Sequence, residues 1–232
     1  KSLKYDFAVK RGKPADVLPF WVADMDFEIP PELKQILLDR VNHGVFGYTE
    51  SDDEYFDVLQ NWFSTRFNWI PEQKWLVKTP GIVFALAMAV RAFTKEGEGV
   101  LINQPVYYPF SMVIDDNNRH LINVPLIKGE ERYTIDFEGI ERAIVEENVT
   151  LFLLCNPHNP VGRVWTEDEL KRLGDICIKH NVLIVSDEIH ADFVWKGHTH
   201  KVFAALGESY AEHCVVCTAP SKTFNIAGLQ VS

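Results

Sequence analysis

Basic residues are in deficit. The 232-residue chain has 23 Lys and Arg against 33 Asp and Glu, a formal charge of −10 with a pI near 5.3. Proteins that bind a phosphate backbone gain affinity when Lys and Arg displace condensed counterions, so this balance excludes a nucleic-acid partner and favours small molecules or protein. No run of eighteen apolar residues occurs, which excludes a membrane-spanning helix, and the opening KSLKYDFAVKRG has no apolar signal core. A cytoplasmic location is the resulting expectation. Cysteine is sparse: Cys155, Cys177, Cys214 and Cys217. The last two have CxxC spacing, but inside an apolar run. Strand residues three apart point to opposite faces, the wrong geometry for one metal or one disulfide, so all four are expected as buried structural thiols. His198 and His200 lack a nearby third ligand and read as loop residues, not a metal site. Internal repeats, low-complexity tracts and linkers are missing as well.

What is present is ordinary globular material, 47% hydrophobic and 24% charged. Its hydrophobic period switches repeatedly between that of a helix and that of a strand. Helices are expected over Glu32–His43, after two prolines, and over Ser51–Phe67, opened by a capping box at Ser51-Asp52-Asp53-Glu54. Two more are expected over Ile82–Thr94 and over Thr166–Asn181, the latter opened by the capping box Thr166 to Glu169. The acidic run Glu50–Glu54 suits the positive end of a helix dipole. Short apolar runs bounded by turn residues predict strands over Trp75–Lys78, Gly99–Asn103, Leu121–Leu126, Leu151–Cys155, Val182–Ser186 and Cys214–Thr218. Strand and helix alternating at this spacing predict an α/β fold, a mainly parallel sheet with helices on both faces.

Such a sheet binds ligands beyond the carboxyl ends of its strands. The residues just past each run are therefore the ones that matter. They are Gln104-Pro105-Val106-Tyr107-Tyr108, the loop NPHNPVG over 156–162, Asp187-Glu188-Ile189-His190, and Ser221-Lys222. Individually these have ordinary readings: a rigid turn, a helix cap, a solvated lysine, packing aromatics. Their joint occurrence at one structural position points to a site.

The series NPHNPVG, SDEIH and SKTFNIAGL, in this order and spacing, resembles the fold type I pyridoxal-phosphate enzymes of the class I/II aminotransferase superfamily. FWVADMDFEIPPEL, HGVFGYT, TPGIVFAL and QPVYYPF are similar to the carbon–sulfur β-lyase branch typified by cystathionine β-lyase. The resemblance implies the large domain of a PLP-dependent transferase over residues 46–232, incomplete at its C-terminal end. Residues 1–45 would contribute to a small domain and to dimer contacts, the C-terminal small domain being absent. It also implies pyridoxal 5'-phosphate as cofactor, with its aldehyde held by Lys222, its ring nitrogen paired with Asp187, its phenolic oxygen bonded by Asn159 and its ring stacked on Tyr107. Asn156 would shape the loop. The phosphate would sit where Gly81, Ile82 and Val83 open a helix, because free N–H groups and the helix dipole favour an anion. Ser221 would assist. Tyr48, in the GYT position, would reach the phosphate of a neighbouring subunit, implying a homodimer with shared active sites. Tyr108 would position substrate or protonate a leaving sulfur.

Three positions depart from the common pattern. Gln230 stands where many members have a phosphate-gripping arginine, Ala219 where a serine is common, and His190 where transaminases place a tyrosine. The first and third are more like the lyase branch. The expected activity is thus cleavage of a sulfur-linked amino acid to a thiol, pyruvate and ammonia. An aminotransferase, or a regulatory module that keeps the fold without the chemistry, are the alternatives.

Overall fold

Alternation along the strands decides the architecture. The computed structural model describes residues 1–232. Strands β1 (Gly99–Ile102), β2 (His120–Asn123), β5 (Val149–Cys155), β6 (Leu183–Asp187) and β7 (Cys214–Cys217) form one sheet in the order β2-β1-β5-β6-β7, every pair parallel. The short strands β3 (Ile127–Lys128) and β4 (Tyr133–Thr134) pair antiparallel beside it. Because strand side chains alternate in direction, Leu101, Phe152, Leu154 and Ile184 face one way, into a core shared with helices α6 (Phe137–Glu146) and α7 (Glu167–Lys179). Val100, Ile102, Leu151, Leu153, Val185 and Cys217 face the other, against α4 (Ile82–Phe93) and α5 (Pro109–Asp115). Each fully buried Leu, Ile or Val contributes about 1.5–3 kcal/mol, so the two clusters anchor the sheet from both sides. The expected α/β sheet covered on both faces is what forms. Cys214 packs toward the first core and Cys217 within the second, the opposite-face placement expected for residues three apart, and all four cysteines are free thiols.

Local sequence sets the helix starts. Thr166 caps α7 in a complete capping box: its hydroxyl accepts from Glu169 N–H, and the Glu169 carboxylate accepts from Thr166 N–H at 2.8 Å. In α3 (Asp53–Phe67) the cap is one residue later than the sequence pattern suggests. Asp52, not Ser51, accepts from Tyr55 N–H at 3.1 Å, because a carboxylate there also meets the helix dipole. Helix α2 (Pro31–His43) buries none of its residues; α1 (Leu3–Asp6) and α8 (Glu208–Glu212) are single turns.

The expected strand over Trp75–Lys78 is not one. Gln73–Trp75 is a 3-10 turn, and the extended segment after it has no ladder partner. An apolar cavity of about 420 Å³ separates this segment from the free edge of β7, lined among others by Phe63, Leu76, Val77, Val215 and Cys217. Only Thr79 is paired, exchanging two 2.9 Å backbone hydrogen bonds with Ser232. No helix is long and apolar enough to cross a membrane.

Candidate active site

Register brings the functional loops level. Cys155, Asp187 and Cys217 are neighbours across β5, β6 and β7. One residue further on, Asn156 N–H donates to Asp187 O at 2.9 Å and Glu188 N–H to Cys217 O at 2.8 Å. The loops carrying Asn159, His190 and Lys222 thus emerge side by side from one sheet rim.

Asp187 is the electrostatic centre of this rim. It is 5% exposed, and burial pushes its carboxyl from 3.8 up to about 7. The Ile189 N–H, donating to Oδ1 at 3.2 Å, and the positive charge of Lys222 pull the other way, while Glu188 adds to the rise. Lys222 is half-buried in the turn after β7 and has no ion-pair or hydrogen-bond partner on its amine. Its charge and, to a larger extent, burial hold the His190 imidazole below its ordinary value, so His190 is biased to the neutral form. Burial, with Tyr108 and Asp187 behind it, raises the Tyr107 hydroxyl. Lys222, Asp187, His190 and Tyr107 therefore share one region.

Tyr107 and Tyr108 meet edge to face at 5.2 Å, Tyr107 being the more buried of the two. Asn159 is half-buried, and its side-chain amide makes no hydrogen bond within the chain; only its backbone N–H is engaged, by the Cys155 thiol at 3.3 Å. Asn156 is fully buried and donates to Lys201 O at 3.0 Å, a loop-shaping contact. The neighbouring His158 escaped sequence reasoning. It is buried, held neutral by desolvation that lowers its pKa to about 4, and its Nε2 donates to Pro105 O at 3.0 Å. It ties the Asn159 loop to the loop of Tyr107. Only its place in NPHNPVG hinted at a role.

Helix α4 opens without a side-chain cap, at Gly81 with φ +130°, a conformation natural to glycine. The Gly81 N–H donates to Ser232 Oγ at 3.0 Å. The amides of Ile82, Val83 and Phe84 are the uncapped donors that remain, with the dipole behind them. Ser221 is half-buried with a free hydroxyl. Tyr48 is fully exposed on an extended segment and touches none of these residues within the chain. His200 lies in a loop, as expected, and is buried there 2.8 Å from Glu188. No group of three His, Cys, Asp or Glu is placed to hold a metal.

These residues fit a flat, charged ligand. A buried carboxylate short of a cation, an amine without a partner, an unused amide, a half-exposed tyrosine ring and an uncapped helix start would receive a protonated ring nitrogen, an aldehyde, a phenolic oxygen, an aromatic face and a phosphate.

Known proteins share this fold. The chain is 45% identical over its whole length to "Cystathionine beta-lyase PatB" of Bacillus subtilis (strain 168), covering 60% of that protein. It superposes on cystalysin from Treponema denticola, a structure that contains pyridoxal 5'-phosphate, with a TM-score of 0.93 and 42% identity, over 100% of this chain and 59% of that one. A PLP-bound C-S lyase from Staphylococcus hominis gives a TM-score of 0.90 and 34% identity, over 100% and 60%. The chain thus spans about three-fifths of the length of the relatives it matches. Residues 15–232 match the profile of aminotransferase class I and II, and the chain belongs to that family.

Proposed function

We propose that this chain carries the cofactor site of a pyridoxal-phosphate-dependent carbon–sulfur β-lyase that cleaves a sulfur-linked amino acid such as cystathionine to a thiol, pyruvate and ammonia. The observation that carries the reading is Asp187, buried at the sheet rim with its carboxyl pushed by that burial to about 7, within the electrostatic reach of the unpaired amine of Lys222. The 45% identity to a protein named a cystathionine beta-lyase favours the lyase, the curated relatives named aminotransferases matching at 27–29%; against it, a PLP-bound structure from Clostridium difficile 630 named as an aminotransferase matches at 46%.

The cofactor would supply an electron sink for the substrate's Cα electron pair. Asp187 would keep the proton on the ring nitrogen. The ring cation in turn would draw the carboxyl back toward its ordinary range, so each stabilises the other's charge. Asn159 would donate to the phenolic oxygen, and Tyr107 would hold the ring plane. Ile82 and Val83 N–H, with Gly81 allowing close approach and Ser221 nearby, would bind the phosphate without an arginine. Lys222 would first bond the aldehyde, then, displaced by the substrate amine, take the proton from Cα. Tyr108 would deliver a proton to the sulfur as the Cβ–S bond breaks, so that it leaves as a thiol. The released enamine takes up water to give pyruvate and ammonia. His190, kept neutral, suits a position beside the cofactor. Tyr48, exposed and uncommitted in the single chain, fits a homodimer in which it completes the partner's phosphate site, with residues 1–45 contributing to the small domain and dimer contact.

The test is an absorption spectrum of the full-length protein with pyridoxal phosphate, beside Lys222→Ala, followed by addition of L-cystathionine. A visible band and pyruvate release in the parent are expected, with no lysine-bound band and turnover lowered by about 10²–10⁴ in the variant. Turnover that needs a keto acid and releases no pyruvate would instead make the protein a transaminase.

A further inference from the structure

The three residues after Lys222 are each held from a different part of the chain. The Thr223 hydroxyl donates to Asp192 Oδ2 at 2.7 Å. Phe224 packs on Trp62 with ring centroids 5.5 Å apart. Asn225, at φ +55°, accepts from Met25 N–H at 3.1 Å and donates to Met25 O and Phe27 O at 3.3 and 3.0 Å. Helix α3 reinforces the first two anchors. Arg66 lies 3.8 Å over the Trp62 ring, and its Nη1 is 3.5 Å from Asp192 Oδ1. That oxygen is buried and lacks a hydrogen bond of good geometry, so Arg66 meets it as a charge.

Of these anchors, Asp192 alone belongs to the loop that also carries Asp187 and His190. Within the turn itself the closing bonds are backbone ones, Phe224 N–H to Pro220 O at 2.9 Å and Ile226 N–H to Ser221 O at 3.0 Å. Nothing in those two bonds fixes the turn relative to β6. We propose that Asp192, oriented by Arg66, is a positioning residue for Lys222: through Thr223 it locks the lysine turn to the Asp187 loop and so sets the amine against the ring-nitrogen partner. This rests on the reading of Lys222 as the amine that bonds the cofactor's aldehyde. Misplacement by about 1 Å can cost on the order of 10² in the rate of a bond-forming step, while binding through other groups survives.

The experiment uses the full-length protein stripped of cofactor, as the parent and as Thr223→Val, Thr223→Ser and Asp192→Asn. Two quantities are read: the rate at which the visible band of the lysine-bound cofactor forms with pyridoxal 5'-phosphate, and the affinity for pyridoxine 5'-phosphate, whose alcohol cannot bond Lys222. Thr223→Val and Asp192→Asn should slow band formation at least about tenfold with pyridoxine-phosphate affinity within about twofold of the parent, and Thr223→Ser should restore the parent's rate. Band formation at the parent's rate in Thr223→Val overturns the proposal. So does a parallel loss of rate and pyridoxine-phosphate affinity that serine does not rescue, the signature of a merely structural contact. A parent that binds pyridoxine phosphate but forms no band removes the cofactor role of Lys222 itself, and the positioning role with it.

Discussion

Replacing Asp187 with asparagine separates the charge of this residue from its shape. Burial lifts the carboxyl from 3.8 to about 7, and each pH unit between those values is worth about 1.4 kcal/mol, so ionising Asp187 in the folded, cofactor-free protein costs about 4 kcal/mol. Below 3.8 the folded and unfolded states are both protonated and no penalty exists. Between 3.8 and about 7 the folded state keeps a proton that the unfolded state has released, so stability falls as pH rises; above 7 the penalty is complete and constant. Asparagine never ionises. From pH 5 to pH 8 the cofactor-free parent should therefore lose about 2–3 kcal/mol relative to Asp187→Asn, whatever fixed cost the new amide brings. Urea unfolding at the two pH values measures that difference. Adding pyridoxal phosphate at pH 8 should then stabilise the parent more than the variant, because only a carboxylate gains from a facing ring cation. Equal pH dependence in both proteins would refute the argument, since Asp187 would then be ionising without penalty.

Two further substitutions test the scaffold. Leu153 is 1% exposed in the core against α4 and α5, and Leu153→Ala should cost about 2–5 kcal/mol in urea unfolding; a loss well under 1 kcal/mol would mean the core is not close-packed there. His200→Ala removes the 2.8 Å partner of Glu188, leaving it only Ser186 Oγ at 2.8 Å and Phe203 N–H at 2.9 Å as donors. It should cost about 1–3 kcal/mol and open the 188–203 loop to protease, whereas unchanged stability would show that Glu188 is satisfied without His200.

Strands β1, β5 and β6 were legible to within two residues because both faces of a parallel sheet are buried, and such strands read as continuous apolar runs; the edge strand β7, half-buried over its first three residues, is apolar throughout and reads the same way. Helices α5 and α6 and the β3–β4 pair were not anticipated: α5 and the two strands are short, and α6, though amphipathic and capped by Asp136, opens without a capping box. Trp75–Lys78 misled because an apolar run reports burial potential, while a strand also needs a hydrogen-bonding neighbour. Its length lies along a cavity. The candidate loops were legible where position along a strand suffices: Asn159, Asp187 and Lys222 each lie at or past the end of an apolar run, and register brings the strand ends Cys155, Asp187 and Cys217 level. The contacts of Asp192 with Thr223 and of Asn225 with Met25 join residues 31 and 200 positions apart. No period or spacing encodes such pairs.

The two kinds of residue answer different physical demands. Asp187 is held, cofactor-free, in a state that costs folding energy, and such a group persists only where its surroundings leave it no cheaper arrangement. The surroundings here are the ends of three strands whose register is fixed by cores on both faces, so the carboxylate cannot swing out to water without breaking the ladder bonds at Asn156 and Glu188. Lys222 has no such support. It lies beyond β7, the edge strand, which pairs with β6 alone. An amine in a turn at a sheet edge needs its rigidity from side chains, and Thr223, Phe224 and Asn225 provide it by reaching to the Asp192 loop, to α3 and to the N-terminal segment. The sequence KTFN after the strand is therefore the counterpart, built from side chains, of what hydrogen-bonded register does for Asp187.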